Sequence, residues 1–159
     1  GFDVLLDAAR DLEATIVLVG SGPEESRLRA LALPGVVFAG RVSDDDLVAY
    51  YHAAEIFCLP SVTIAEAFGM VLLEAMACGK PLVTTSLPTG VTAVNRDGTT
   101  GLVVPPGNAG ALREVLAALL KDGVRRRAMG EAARAVQAAE YGAELMGDRY
   151  LKLYAEALS

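Results

Sequence analysis

This chain of 159 residues predicts an α/β domain built on a mainly parallel sheet. Short apolar runs over 14–19, 36–39, 56–59, 81–85 and 101–104 read as buried strands. Glycine or proline punctuates the turns around them, and the segments between carry apolar residues at helical spacing. Such alternation puts helices on the faces of a parallel sheet and ligand sites beyond the carboxyl ends of its strands. A composition of 53% hydrophobic residues, with 16 glycines and 7 prolines, suits a buried sheet with many tight turns. The length fits one domain with a substantial core.

The elements can be justified in chain order. Val4, Leu5, Ala8, Ala9 and Leu12 form a helical stripe, and so short a lead-in suggests a preceding segment. The strand over 14–19 ends at Gly20, Ser21, Gly22 and Pro23. Pro23 suits the first turn of a helix, and Glu24 and Glu25 favour its positive end. That helix carries Leu28, Leu31 and Ala32, and Gly40 closes the strand that follows. Ser43 and Asp46 have the form of a capping box, opening a helix with Leu47, Tyr50, Tyr51 and Ala54. Beyond the strand over 56–59 comes the stretch 60–81, and then the strand over 81–85 with its loop from Ser86 to Gly90. The turn at Asp97 and Gly98 precedes the last strand. Asn108 can cap a helix whose core face is Leu112, Val115, Leu116, Leu119 and Leu120. Leu145, Met146, Tyr150, Leu153, Tyr154 and Leu158 continue the helical pattern to the end.

The stretch 60–81 concentrates the chemistry. It sets Glu66 and Glu74 around a glycine-bearing turn that opens an apolar helix, expected over 68–78 and stopped by Gly79. Phe68, Gly69 and Met70 would place free backbone N–H groups at the helix start, where the dipole attracts phosphate or another anion. Gly69 lets the backbone approach a ligand closely. Carboxylates are acceptors suited to vicinal hydroxyls, as in a ribose or a hexose. One ligand could meet amides at its phosphates and carboxylates at its sugars. Spacing alone leaves open a plainer alternative, with Glu66 favouring the helix dipole and Glu74 solvated.

Other features narrow the function. A net charge of −6 argues against a nonspecific nucleic-acid binder. With one histidine, a histidine-rich metal site is not expected. Gly20 and Gly22 are only a fragment of the dinucleotide fingerprint, which gives NAD or FAD little support. Cys58 and Cys78 lie in apolar contexts and suit buried thiols in a reducing compartment. No apolar run reaches the length of a membrane span, and no signal peptide is evident. Arg41 and Lys80 sit where they could meet a phosphate or donor, although solvated cations explain them as well. His52 reads as a surface or packed helix residue. Arg125, Arg126 and Arg127 read as a solvated face or a contact for an acidic lipid or partner.

Glu66, Phe68 and Gly69, followed by Glu74, Cys78, Gly79, Lys80 and Pro81, resemble the E-x7-E signature of a large glycosyltransferase family. The similar region is the C-terminal half of retaining GT-B enzymes of the family-4-like, group 1 type. The resemblance runs through nearly all of the chain. It implies a Rossmann-like three-layer domain, with residues 1–159 the nucleotide-sugar (donor) binding part of a two-domain enzyme. By that resemblance Glu74 holds ribose hydroxyls, and Glu66, the catalytic candidate, contacts the donor sugar near the reacting carbon. The backbone at Phe68, Gly69 and Met70 binds sugar hydroxyls or the diphosphate, and Gly20 and Gly22 belong to a glycine loop near the donor. No metal or cofactor is implied beyond the nucleotide diphosphate sugar, which is the substrate. The implied reaction moves a hexosyl group, with retention, to a glycan or lipid-linked acceptor. The region 87–107 resembles members that build cell-surface polysaccharides, which implies a cytoplasmic enzyme with room for peripheral association at the inner face of the membrane.

The chain departs from that family in three places. Thr89 precedes Gly90 where many members have paired glycines and a nearby glutamate. The first strand of the domain is missing, with the arginine and lysine that neutralise the donor diphosphate. The N-terminal Rossmann-like domain that carries the acceptor site is missing too. This fragment is therefore expected not to turn over alone. Three rival expectations are a noncatalytic nucleotide- or phosphosugar-binding module, a purely structural α/β domain and a glycoside hydrolase with paired carboxylates. The hydrolase would leave the helix-start phosphate site without a use.

Overall fold

In a computed structural model, which describes residues 1–158, helices and parallel strands alternate over residues 2–121, and two further helices follow. Helix α1 (Phe2–Ala8) runs into a 3₁₀ turn (Ala9–Asp11) and then β1 (Ile16–Val19). Next come α2 (Glu25–Leu31), β2 (Val36–Gly40), α3 (Asp44–Ala53), β3 (Phe57–Leu59), α4 (Met70–Ala77) and β4 (Leu82–Thr85). They are followed by α5 (Val91–Val94), β5 (Gly101–Val104), α6 (Ala109–Lys121), α7 (Gly123–Glu140) and α8 (Ala143–Ala157).

The α/β class and the parallel pairing are as expected, in two sheets. β1 pairs with β2, and β3, β4 and β5 form the second sheet in that order, all parallel. β4 lies at the centre of the second sheet and is buried along its whole length. Successive side chains of a strand point to opposite faces. Leu82 accordingly joins the cluster of Leu72, Met76, Val91 and Val94, while Val83 joins Leu5, Leu112, Leu116 and Leu119. Two apolar layers of helices thus sandwich the sheet. β1 instead alternates half-buried with exposed positions, so Ile16 and Leu18 pack on the core that contains Val83.

Local chemistry explains most element ends. Ser43 Oγ accepts from the Asp46 N–H at 3.2 Å and donates to the Asp46 carboxylate at 2.7 Å. Asn108 Oδ1 caps α6 through the Ala111 N–H at 2.9 Å. α5 was not foreseen: its four residues follow directly on the loop from Ser86 to Gly90 and are too few to show a helical period. The terminal helical pattern breaks at Gly142, and α8 buries none of its residues. Arg126 is not part of a solvated face: it donates to the Leu119 and Leu120 carbonyls at 2.5 Å each and pairs with Glu55 at 2.9 Å. Its neighbours Arg125 and Arg127 are exposed.

Candidate functional site

The backbone of Gly69 turns left-handed just before α4, with φ 78° and ψ 61°. A Cβ there would also lie 2.9 Å from Leu72 Cδ1, so torsion and space both call for glycine. The Gly69 N–H donates to Glu66 Oε1 at 2.9 Å, folding the turn back on itself. This turn leaves Phe68 outside the helix, which begins at Met70 and ends at Ala77 rather than covering 68–78. It also means that the Gly69 amide, expected to be free, is already occupied by Glu66. Helix geometry leaves the amides of Met70 and Val71 without partners inside α4. Glu66 is half-buried, and its Oε2 has no protein partner among the described residues.

Glu74 lies on α4 with its side chain exposed, but it is tethered. Its Oε2 accepts from the Tyr51 hydroxyl at 2.7 Å. Tyr51 comes from α3, is 7% exposed, and packs against Phe57 with ring centroids 5.5 Å apart. Burial, and then the adjoining Glu74 carboxylate, push the Tyr51 phenol well above its ordinary value. The hydroxyl therefore stays a donor across the physiological range. Both glutamates share one pattern: a protein donor holds one oxygen, and the other points to no protein partner among the described residues.

The loops after β3 and β4 meet at this place. Thr85 Oγ1 donates to the Ser61 carbonyl at 2.6 Å, and the Gly90 N–H donates to the Ala67 carbonyl at 2.8 Å. A Cβ on Gly90 would sit 2.7 Å from Phe68 Cδ2, so a side chain here would push the two loops apart. Gly20 and Gly22 stand at the carboxyl end of β1, exposed, with open space where a Cβ would lie. Hydrogen bonds near this turn run to β2: Gly20 N–H to the Gly40 carbonyl at 2.7 Å, and Arg41 Nε to Ser21 Oγ at 3.2 Å. Lys80 Nζ donates to the His52 carbonyl at 2.9 Å, which ties the end of α4 to the end of α3. His52 itself is exposed.

Sequence reasoning missed a buried polar group beneath the second loop. Asn95 Nδ2 donates to Thr84 Oγ1 at 2.9 Å and to the Leu102 carbonyl at 3.1 Å. Thr100 Oγ1 donates to Asn95 Oδ1 at 3.0 Å. These bonds satisfy the buried amide and hold the loop between β4 and β5. The sequence assigns Asn95 no role of its own, and only its burial reveals one. A broad depression of about 480 Å³ opens nearby, lined by Ser86, Arg96, Asp97 and Pro105 among others. Neither Glu66 nor Glu74 lines it, and its charged groups are paired: Arg96 with Glu140, Asp97 with the Val103 N–H. Among the described residues, no group of three or more His, Cys, Asp or Glu could hold a metal ion. No helix among them is long and apolar enough to cross a membrane.

Comparison with known proteins places this geometry in context. The profile of the family described as glycosyl transferases group 1 matches residues 1–136. The D-rhamnosyltransferase WbpZ of Pseudomonas aeruginosa is 38% identical over 139 residues, covering 85% of this chain and 36% of that protein. A GDP-mannose-dependent monoacylated phosphatidylinositol monomannoside mannosyltransferase of Corynebacterium glutamicum is 40% identical over 148 residues, covering 86% of this chain and 38% of that protein. The crystal structure of Anabaena HepE in complex with UDP-glucose superposes with a TM-score of 0.88. It covers 98% of this chain and 45% of HepE at 23% identity, a likeness of fold alone. The chain thus spans less than half the length of these relatives.

Proposed function

This chain belongs to the glycosyl transferases group 1 family, and from that premise we propose that it is the donor-binding half of a retaining, two-domain hexosyltransferase. The observation that carries the proposal is the pair of tethered carboxylates at either side of the α4 start, Glu66 held by Gly69 and Glu74 held by Tyr51. Each keeps one oxygen for a ligand. Glu74 takes the ribose hydroxyls of a nucleotide diphosphate sugar, and Glu66 takes hydroxyls of the donor sugar near the reacting carbon. The diphosphate lies toward the Met70 and Val71 amides. Negative charge grows on that group as the sugar becomes oxocarbenium-like, so fixed amides stabilise the transition state more than the ground state. Glu66 favours the positive charge nearby without acting as a covalent nucleophile.

The exposed strand edges fit the same proposal. Glu74 is exposed and Glu66 half-buried, which suits one side of an interdomain cleft. β1 and β3 each have one strand partner among the described residues, and their side chains reach the same core. Gly1 abuts the carbonyl of Pro60, just past β3. A further parallel strand ahead of α1 would fit between the two sheets and bring its cations to the donor. The acceptor, a glycan or lipid-linked sugar, belongs to the other domain, and the full-length enzyme would work in the cytoplasm, with peripheral association at the inner face of the membrane. The GDP-mannose-dependent mannosyltransferase and the HepE complex with UDP-glucose make these two the first donors to test.

The test uses the full-length enzyme with UDP, GDP and these two donors. Glu74→Ala should weaken nucleotide binding by about tenfold or more, the loss expected for hydrogen bonds to a charged group. Glu66→Ala should lower turnover far more than nucleotide affinity. Unchanged affinity in Glu74→Ala would sink the clamp, and equal losses of binding and turnover in Glu66→Ala would contradict its assigned place.

A further inference from the structure

We infer that Tyr51 is a positioning residue for nucleotide recognition, an inference that rests on Glu74 being the ribose clamp. Three observations support it. The bond from the Tyr51 hydroxyl to Glu74 Oε2 is short, 2.7 Å, and joins residues 23 apart in sequence on different helices. The hydroxyl also lies 3.4 Å from the Val71 carbonyl, but a phenol has one proton, and the closer, charged acceptor takes it. The ring is buried and wedged against Phe57, so the donor is rigid while the carboxylate it holds is exposed.

A glutamate on an exposed helix face would otherwise sample several rotamers and lose that freedom when a ligand binds. Tyr51 removes most of this cost beforehand. Fixing Oε2 also fixes the direction of Oε1, and so the place where a hydroxyl pair must sit. Buried apolar contact alone would need only a phenylalanine here; the hydroxyl is what reaches Glu74.

The experiment is a double-mutant cycle in the full-length enzyme, with Tyr51→Phe, Glu74→Gln and the double variant, titrated with UDP and GDP and their 2′-deoxy forms. Tyr51→Phe keeps the ring, and thermal melting of each variant checks the fold. The expected result is an affinity loss of about three- to tenfold for the ribonucleotide in Tyr51→Phe, the size of one hydrogen bond to a charged group. That loss should vanish in the Glu74→Gln background. The preference for ribose over 2′-deoxyribose should narrow, and the donor KM should rise with kcat held. If Tyr51→Phe costs the same with Glu74 changed or intact, its role is general packing and the inference is overturned. If Glu74→Gln weakens binding while Tyr51→Phe does not, Tyr51 is dispensable and the clamp stands. Full affinity in Glu74→Gln would remove the clamp itself, and the inference with it.

Discussion

Cys58 shows how burial alone sets a residue's chemistry. Its thiol sits on β3 with no charged partner, and burial pushes it up to about 12 from an ordinary value of 9.0. The folded chain therefore keeps this proton at pH values where the unfolded chain releases it. The sign follows: the native state binds more protons above about pH 9, so stability is whole below that point and falls as pH rises toward about 12. The Tyr51 phenol, raised by burial and by Glu74, adds to the same decline. Denaturant titrations across this window should show falling stability, with a shallower slope in Cys58→Ala. An identical slope in the variant would mean that the thiol is solvated. At the same scale, the spacing of Glu66 and Glu74 around Gly69 left a plainer reading open, and the family resemblance singled the pair out. The bond from Gly69 to Glu66 was not legible in the sequence, although glycine at that position was a sign that the backbone turns there.

Elements are joined by contacts that local patterns do not announce. α7 passes the turn that ends α4 so closely that a Cβ on Gly130 would lie 2.1 Å from the Gly79 carbonyl oxygen. Gly130→Ala should therefore destabilise the fold by about 1–3 kcal/mol, the usual cost of overpacking a tight contact. Chemical denaturation measures this, and an unchanged midpoint would mean that α7 is not seated on α4. The three arginines at the start of α7 oppose its own dipole. Arg126 offsets this by capping the final carbonyls of α6 and pairing with Glu55, so the run belongs to a helix joint. Arg113 does similar work for α1: it donates to the Ala8 and Asp7 carbonyls at 3.0 and 2.9 Å.

Across the whole molecule, the two sheets differ in how well they are closed. β4 is buried throughout and bonded on both sides, whereas β1 has one partner among the described residues and leaves Val17 and Val19 37–39% exposed. Hydrogen exchange of this chain should find β4 amides far better protected than those of β1 and β2. Equal protection would mean that the pair β1–β2 is as firmly closed as the second sheet. α8 lies at the other extreme, with Leu151 69% and Tyr154 61% exposed. Its regular apolar spacing predicted a helix correctly but not whether anything covers it.

The alternation of strand and helix, the caps at Ser43 and Asn108 and the paired glutamates were all written in the amino-acid order. Periodicity, turn chemistry and capping act over a few residues, and local order is enough to specify them. The tether from Tyr51 to Glu74, the bond from Gly90 to Ala67, the Asn95 network and the division into two sheets needed the folded chain. Each joins groups from different elements, and such a pairing leaves no mark in either stretch alone. Tyr51 fits the apolar stripe of α3 as well as any phenylalanine would; its hydroxyl acquires a purpose only when α4 packs alongside.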